Sequence, residues 1–61
     1  MEGIYQYKGK PYAFHSKTKI KINGEWIDGV IYLCLYENPD GMIWVRTEEE
    51  FFRLFKKTEN G

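Results

Sequence analysis

The sequence is poor in the residues that carry out catalysis and bind metals. Its 61 residues include one cysteine, Cys34, and one histidine, His15. A Cys–His nucleophile pair needs an exposed thiol within hydrogen-bond reach of the imidazole, whereas Cys34 lies inside an apolar run. A metal site needs about three or four protein ligands. We therefore expect no catalytic residue, no metal site and no cofactor, and interpret the chain as a non-enzyme.

The sequence also has no pattern that predicts a disulfide, a membrane span or a targeting signal. A single cysteine cannot form an internal disulfide, and its apolar surroundings favour a buried, reduced thiol. No apolar run approaches the roughly 20 residues that span a bilayer. The first residues are polar and lack the apolar segment of a signal peptide. The sequence therefore predicts a cytoplasmic protein that has no membrane partner.

Net charge is absent too, because nine basic and nine acidic side chains cancel. The charges are unevenly distributed: residues 1–23 hold five lysines and one acid, and residues 24–61 hold four basic and eight acidic side chains. This pattern predicts a bipolar molecule unless folding interleaves the two halves. A neutral balance is also unusual for a dedicated nucleic-acid binder.

Aromatic residues, in contrast, are abundant: two Trp, four Phe and five Tyr make up 18% of the chain. A chain this short forms a marginal core, but each ring can bury roughly 150–250 Å². We predict a single β-rich domain over residues 1–61 with a frayed tail at 58–61. The side chains assigned to its core are Tyr32, Trp44, Val45, Phe51 and Phe55.

The apolar run Val30–Tyr36 predicts the central strand of this domain. It is β-branched and aromatic, it is too short for a typical helix, and its two faces are both apolar. We therefore expect loops, a terminal segment or a partner to cover the second face. The turn residues 38–41 and the return strand Met42–Arg46 complete a predicted hairpin. With a four-residue loop Leu35 lies opposite Trp44; a slip of one residue is the alternative and would exchange the two faces.

Three more strands are predicted from alternation and turn signals. Asn23-Gly24 favours a type I′ hairpin turn, and Asp28-Gly29 favours a second turn or a bulge. The predicted segments are a first strand from Gly3 to Lys8, a long strand Tyr12–Ile22 kinked near His15 and Ser16, and a short return arm Glu25–Ile27.

The segment after Arg46 carries a helix-start signal. Thr47 followed by Glu50 forms a capping box, and Phe51, Leu54 and Phe55 share one helical stripe. Alternatively, one helical turn ends near Phe52 and residues 53–56 form a closing strand. The predicted fold class is mainly β: a small SH3-like, strongly bent antiparallel sheet or barrel of four to six strands, with one short helix near the C-terminus.

Three blocks resemble a small bacterial and phage family. Its pattern runs roughly Y-K-G-x-x-Y, then V-V-Y-x-x-L-Y-E, then L-W-V-R-P-x-x-x-F. These blocks are similar to residues 7–12, 30–37 and 43–51, with Thr47 in place of the proline. The resemblance spans nearly the whole chain and implies a compact β-rich domain. The family has no established activity, so the resemblance supports the fold more than the function.

Two groups of residues are candidate binding sites. An exposed aromatic cluster binds proline-rich peptides, stacked bases or a second subunit, and the candidate protein-binding residues are Tyr5, Tyr7, Tyr12, Trp26 and Tyr36. Lysines at alternate strand positions can follow phosphates, or can protect a strand from aggregation. The candidate nucleic-acid-binding residues are Lys8, Lys10, Lys17, Lys19 and Lys21. The leading hypothesis is a protein-binding module; a nucleic-acid binder and a homodimer are the alternatives.

Overall fold

A computed structural model describes residues 3–58 as one five-stranded antiparallel sheet with a short helix packed on one side. The strand order is β4-β3-β2-β1-β5. The elements are β1 (Ile4–Tyr7), β2 (Lys10–Ile22), β3 (Glu25–Cys34), β4 (Ile43–Thr47), α1 (Glu48–Leu54) and β5 (Lys56–Lys57). The mainly β prediction is confirmed. The barrel alternative is wrong, because β4 and β5 lie at opposite edges and the sheet stays open.

The β2–β3 hairpin is the longest feature of the molecule. Asn23 and Gly24 have φ values of +51° and +82°, as a type I′ turn requires. The predicted break at Asp28-Gly29 is wrong, because both residues pair continuously with β2. Lys19 binds the Asp28 carboxylate, and the Ile20 side chain fills the space beside Gly29, where a Cβ would lie 2.5 Å from Cδ1 of Ile20. Turn-forming residues are therefore accommodated within a strand.

The predicted kink near His15 is confirmed as a shift of register between Phe14 and Ser16. Phe14 pairs with Tyr32 and Ser16 pairs with Ile31, so His15 is the extra residue of a β-bulge. Such a bulge bends the strand and increases its twist. Beyond it, the odd-numbered residues of β2 lie on the same face as Val30.

The predicted register of the second hairpin is wrong by three residues. Tyr32, not Leu35, lies opposite Trp44. The turn at 38–41 does form, with the Gly41 amide donating to the Asn38 carbonyl oxygen at 3.1 Å. However, the Leu35 amide donates to the Pro11 carbonyl oxygen at 3.1 Å, so the chain stays beside β2 and leaves β4 after Cys34.

The core lies between α1 and the sheet face that we call the helix side. Phe51 is completely buried and stacks on Phe55 with ring centroids 4.4 Å apart. The predicted core residues Tyr32, Phe51 and Phe55 are confirmed. Trp44 and Val45 are wrongly predicted, since they are 37% and 46% exposed on an edge strand. The buried set is Tyr12, Phe14, Val30, Tyr32, Cys34, Phe51 and Phe55.

The C-terminal segment combines the two predicted alternatives. Thr47 caps α1 by accepting a hydrogen bond from the Glu50 amide at 3.1 Å, and the helix continues to Leu54. The chain then becomes extended, and β5 pairs with β1. Thr58, in the predicted frayed tail, donates its amide and hydroxyl to the Ile4 carbonyl oxygen at 2.9 and 3.0 Å; residues 59–61 lie outside the described part.

Candidate functional site

A small cavity opens on the helix side, next to the part of the sheet that α1 leaves uncovered. Its volume is about 140 Å³, below the roughly 300–1,000 Å³ of small-molecule sites. Its size therefore suits a single side chain better than a cofactor. The lining residues are Tyr7, Tyr12, Tyr32, Cys34, Asn38, Trp44, Arg46 and Phe55.

Two phenols and an amide form the polar corner of this cavity. The hydroxyl oxygens of Tyr12 and Tyr36 lie 2.8 Å apart. Asn38 Nδ2 donates to Tyr36 Oη at 3.4 Å and to the Cys34 sulfur at 3.5 Å. The hydrogen bond with Tyr12, followed by burial, raises the pKa of Tyr36 above its usual value. The Tyr36 phenol therefore keeps its proton at physiological pH, and the corner can both donate and accept hydrogen bonds.

Arg46 forms the opposite wall. Its Nε donates to the Tyr32 hydroxyl at 3.0 Å, and one terminal nitrogen lies 3.1 Å from a Glu50 carboxylate oxygen. The guanidinium carbon lies 5.5 Å and 5.7 Å from the ring centroids of Tyr7 and Phe55. Burial is the main cause of a raised Tyr32 pKa, partly offset by Arg46. The wall thus carries a cation whose charge Glu50 balances.

Trp44 is held at the mouth of the cavity, on edge strand β4. Its indole Nε1 donates to the Gly41 carbonyl oxygen at 2.8 Å, so the hairpin loop fixes the ring. Trp44 and Arg46 lie two positions apart and therefore on one face of β4. Sequence reasoning missed them and Asn38 as site residues; the Trp-x-Arg spacing on an exposed strand was the available signal.

The free edge of β4 runs alongside this mouth. The Cys34 amide donates to the Met42 carbonyl oxygen at 2.9 Å. Because hydrogen-bonded and non-bonded pairs alternate in an antiparallel ladder, Trp44 and Arg46 direct their backbone groups at β3. Ile43, Val45 and Thr47 direct theirs outward, where no strand within residues 3–58 pairs with them.

The opposite edge of the sheet is built differently. It is β5, which has only two residues, Lys56 and Lys57, both exposed. Short strands and lysines are the features that discourage edge-to-edge pairing. The β4 edge has neither feature: it has five residues, and Ile43, Trp44 and Val45 are exposed. Of these two edges, the β4 edge is therefore the one suited to accept another strand.

The structure brings together three of the five predicted protein-binding aromatics. Tyr7 and Tyr12 line the cavity, and Tyr36 joins it through the Tyr12 hydroxyl. Tyr5 instead packs beneath α1, with its ring centroid 5.1 Å from that of Phe51. Trp26 lies near the tip of the β2–β3 hairpin, where it is 65% exposed.

The predicted lysine stripe does share one face, but each of its ammonium groups has a partner. Lys17 lies 3.1 Å from Glu48, Lys19 binds Asp28, and Lys21 lies 5.4 Å from the centroid of Trp26. The hydrogen bond with Lys19 lowers the pKa of Asp28 and raises that of Lys19. Folding thus interleaves the basic and acidic halves of the chain.

The last two candidate nucleic-acid residues, Lys8 and Lys10, also contact aromatic rings. Their ammonium groups lie 5.4 Å from the centroid of Tyr7 and 5.1 Å from that of Tyr36. They flank the cavity and do not extend the lysine stripe of the hairpin. The predicted basic residues therefore divide into two small groups.

These features define a small domain with one open sheet, one helix and a side-chain-sized aromatic cavity beside a free strand edge. The chain matches no protein-family model, no curated protein and no solved structure. Within residues 3–58, no three histidine, cysteine or acidic side chains are grouped as metal ligands. No helix in the same range has the length and apolar character needed to cross a membrane.

Proposed function

We propose that this chain is a non-catalytic protein-interaction module that binds an extended segment of another protein along β4. The observation that carries the proposal is the unpaired, apolar β4 edge next to an aromatic cavity. In strand addition, main-chain hydrogen bonds provide affinity, and pockets for alternate side chains provide specificity. The buried free thiol of Cys34 supports a reducing, cytoplasmic setting for this module.

The geometry of β4 determines how such a segment would bind. The outward amides of Ile43, Val45 and Thr47 and the outward carbonyls of Ile43 and Val45 supply the ladder; the Thr47 carbonyl belongs to the first turn of α1. Alternate residues of the bound segment then face the helix side, next to Trp44 and Arg46, and one of them enters the cavity. The aromatic walls suit an aliphatic or aromatic side chain, while the hydroxyls of Tyr12 and Tyr36 can bind a polar tip.

The experiment is selection from a displayed library of random peptides, followed by NMR titration of the best binder. We expect the amide signals of Ile43, Val45 and Thr47 to shift. Val45→Pro removes an outward N–H at a position where an edge strand tolerates proline, and should weaken binding about tenfold by leaving a peptide carbonyl unpaired. Val45→Ala retains this N–H and is the matched control.

Two outcomes contradict strand addition. One is failure to select any peptide; the other is a peptide whose affinity is equal for Val45→Pro and Val45→Ala. Trp44→Ala tests the cavity separately, because it removes the ring at the mouth while leaving the outward edge groups in place. We expect it to weaken binding and to relax the selectivity for one peptide side chain.

Nucleic-acid binding is the second candidate. It is supported by the exposed Trp26 ring beside Lys21 and the lysine stripe, since aromatic rings next to cations stack with bases. The ion pairs of Lys17 and Lys19 make it the weaker candidate. Salt-sensitive binding of single-stranded DNA or RNA, lost in a Lys17→Ala/Lys19→Ala/Lys21→Ala variant, would favour it over the first proposal.

A further inference from the structure

The side of the sheet opposite α1, which we call the outer face, is rich in aliphatic residues. Its polar residues are Gln6, Ser16, Thr18, Glu25, Thr47 and Lys56. The ladder register and strand alternation place its residues together. Ile43, Leu35 and Val45 are 68%, 47% and 46% exposed. The aliphatic residues of the outer face are Ile4, Ala13, Ile20, Ile22, Ile27, Ile31, Leu33, Leu35, Ile43 and Val45.

Most of the charged side chains of the sheet lie on the helix side and few lie on the outer face. An antiparallel sheet with one covered side normally exposes polar residues on its other side. Here the lysines of β2, together with Asp28 and Arg46, lie on the helix side, as their pairing with residues such as Tyr7 and Val30 shows. The outer positions of the five strands include two ionised side chains, both at the margins: Glu25 next to the hairpin tip and Lys56 on edge strand β5.

The outer face also extends beyond the five-stranded part of the sheet. Past Thr18 and Gly29, only β2 and β3 remain paired, and Ile20 lies opposite Ile27 on the outer face. A two-stranded hairpin alone is at best marginally stable in water. This arm therefore gains stability from any layer that covers its isoleucines, and its outer side is continuous with that of the sheet.

We infer that the outer face is the interface of a homodimer, in which a second copy of this chain packs face to face. Depletion of charge is the compositional mark of an interface core. Because Glu25 and Lys56 lie at opposite margins of the outer face, its centre can meet its own copy about a two-fold axis without like-charge repulsion, as an isologous contact requires. Two such sheets pack with their strands about 30° apart.

The area of the outer face is large enough for a second copy of the chain. The two larger dimensions of the molecule are 37 and 26 Å, which give a broad face comparable with the ~800 Å² that each partner buries in a stable interface. A short peptide could cover only part of such a face. The inference goes beyond the proposed function, because strand addition uses the backbone groups of Ile43 and Val45 and the helix side of the sheet, whereas the dimer uses the side chains of the outer face.

Sedimentation equilibrium over a wide concentration range is the test. We expect the wild-type chain to have twice the 7.3 kDa mass of one copy. Ile22→Glu/Leu35→Glu places charges at both ends of the outer face, at exposed positions away from β4, and should give a folded monomer. Phe52→Glu, an equally exposed substitution on α1, should leave the dimer intact.

A readout that needs no variant is a filtered NOE experiment on mixed labelled and unlabelled chains. Contacts from the methyl groups of Ile31 and Leu33 to the unlabelled copy would support face-to-face packing. A monomeric wild-type chain at millimolar concentration overturns the inference, and leaves peptide binding at β4 as a separate question. A dimer that Val45→Pro dissociates, and that Val45→Ala and Ile22→Glu/Leu35→Glu leave intact, is an edge-paired dimer, which also overturns it.

Discussion

The phenol oxygens of Tyr12 and Tyr36 lie 2.8 Å apart, joining the second strand to the loop that follows the third. The two rings meet edge to face, with centroids 5.5 Å apart. This contact ties the polar corner of the cavity to the core, because Tyr12 is itself buried and packs against Tyr32 and Phe55. A predicted binding residue is therefore also a structural one.

The shared hydrogen bond should be visible in the ionisation of Tyr36. Its raised pKa is caused first by the bond to Tyr12 and then by burial, so Tyr12→Phe should move the pKa of Tyr36 down towards 10.0. Ultraviolet titration of the phenolates measures this shift. Tyr5→Phe, which removes a hydroxyl elsewhere, is the control; equal titration curves for the two variants would refute the assigned cause.

Phe51 should be the most sensitive core position. It is fully buried between Phe55, Tyr32 and Tyr5, and truncating a buried Phe to Ala costs about 3–5 kcal/mol. A domain of this length has about 3–9 kcal/mol of stability, so Phe51→Ala should remove between about a third and all of it. Urea unfolding followed by circular dichroism measures this loss. Arg53→Ala, exposed on the same helix, should change stability by about 0.5 kcal/mol or less.

The cap of α1 gives a smaller, separable effect. Thr47→Ala removes the acceptor for the Glu50 amide and should lower the free energy of unfolding by about 0.5–2 kcal/mol. Thr47→Ser retains the hydroxyl and should stay near wild type. If both variants lose the same stability, the threonine methyl group, and not the cap, is what matters.

The Lys19–Asp28 pair should respond to acid. Its hydrogen bond lowers the pKa of Asp28 from the usual 3.8, so the folded state favours the carboxylate. The pair therefore stabilises the fold above pH 3.8, and this contribution is lost as pH falls through the lowered value. Carboxyl-carbon NMR titration should show the Asp28 pKa rising in Lys19→Ala and staying low in Lys10→Ala; an equal pKa in the two variants would contradict the assignment.

Local chemistry is what the sequence predicted best. The Asn23-Gly24 turn, the Thr47 cap and the bulge at His15 each depend on residues next to one another along the chain. The end of β3 was not predictable in this way. It depends on the Leu35 amide binding the Pro11 carbonyl oxygen, and nothing in the local pattern indicates that long-range bond.

The candidate site was predicted only in part, for the same reason. Tyr7 and Tyr12 were singled out because aromatic residues were in excess. Arg46 and Asn38 were missed, because their position follows from the register of β4 and from the loop around Gly41. The wrong register led to the prediction that Trp44 is buried in the core. The sequence therefore did not indicate that Trp44 lies on an edge strand.

The bulge at His15 shifts the register between β2 and β3 by one residue. Phe14 pairs with Tyr32, whereas Ser16 pairs with Ile31 on the side of the bulge that leads towards the arm. Removing His15 would leave all the remaining partners in place and abolish only the local bend. The angle between the β2–β3 arm and the rest of the sheet therefore depends on the bulge alone. Inserting or deleting one residue there changes this angle and leaves the aromatic core residues unchanged.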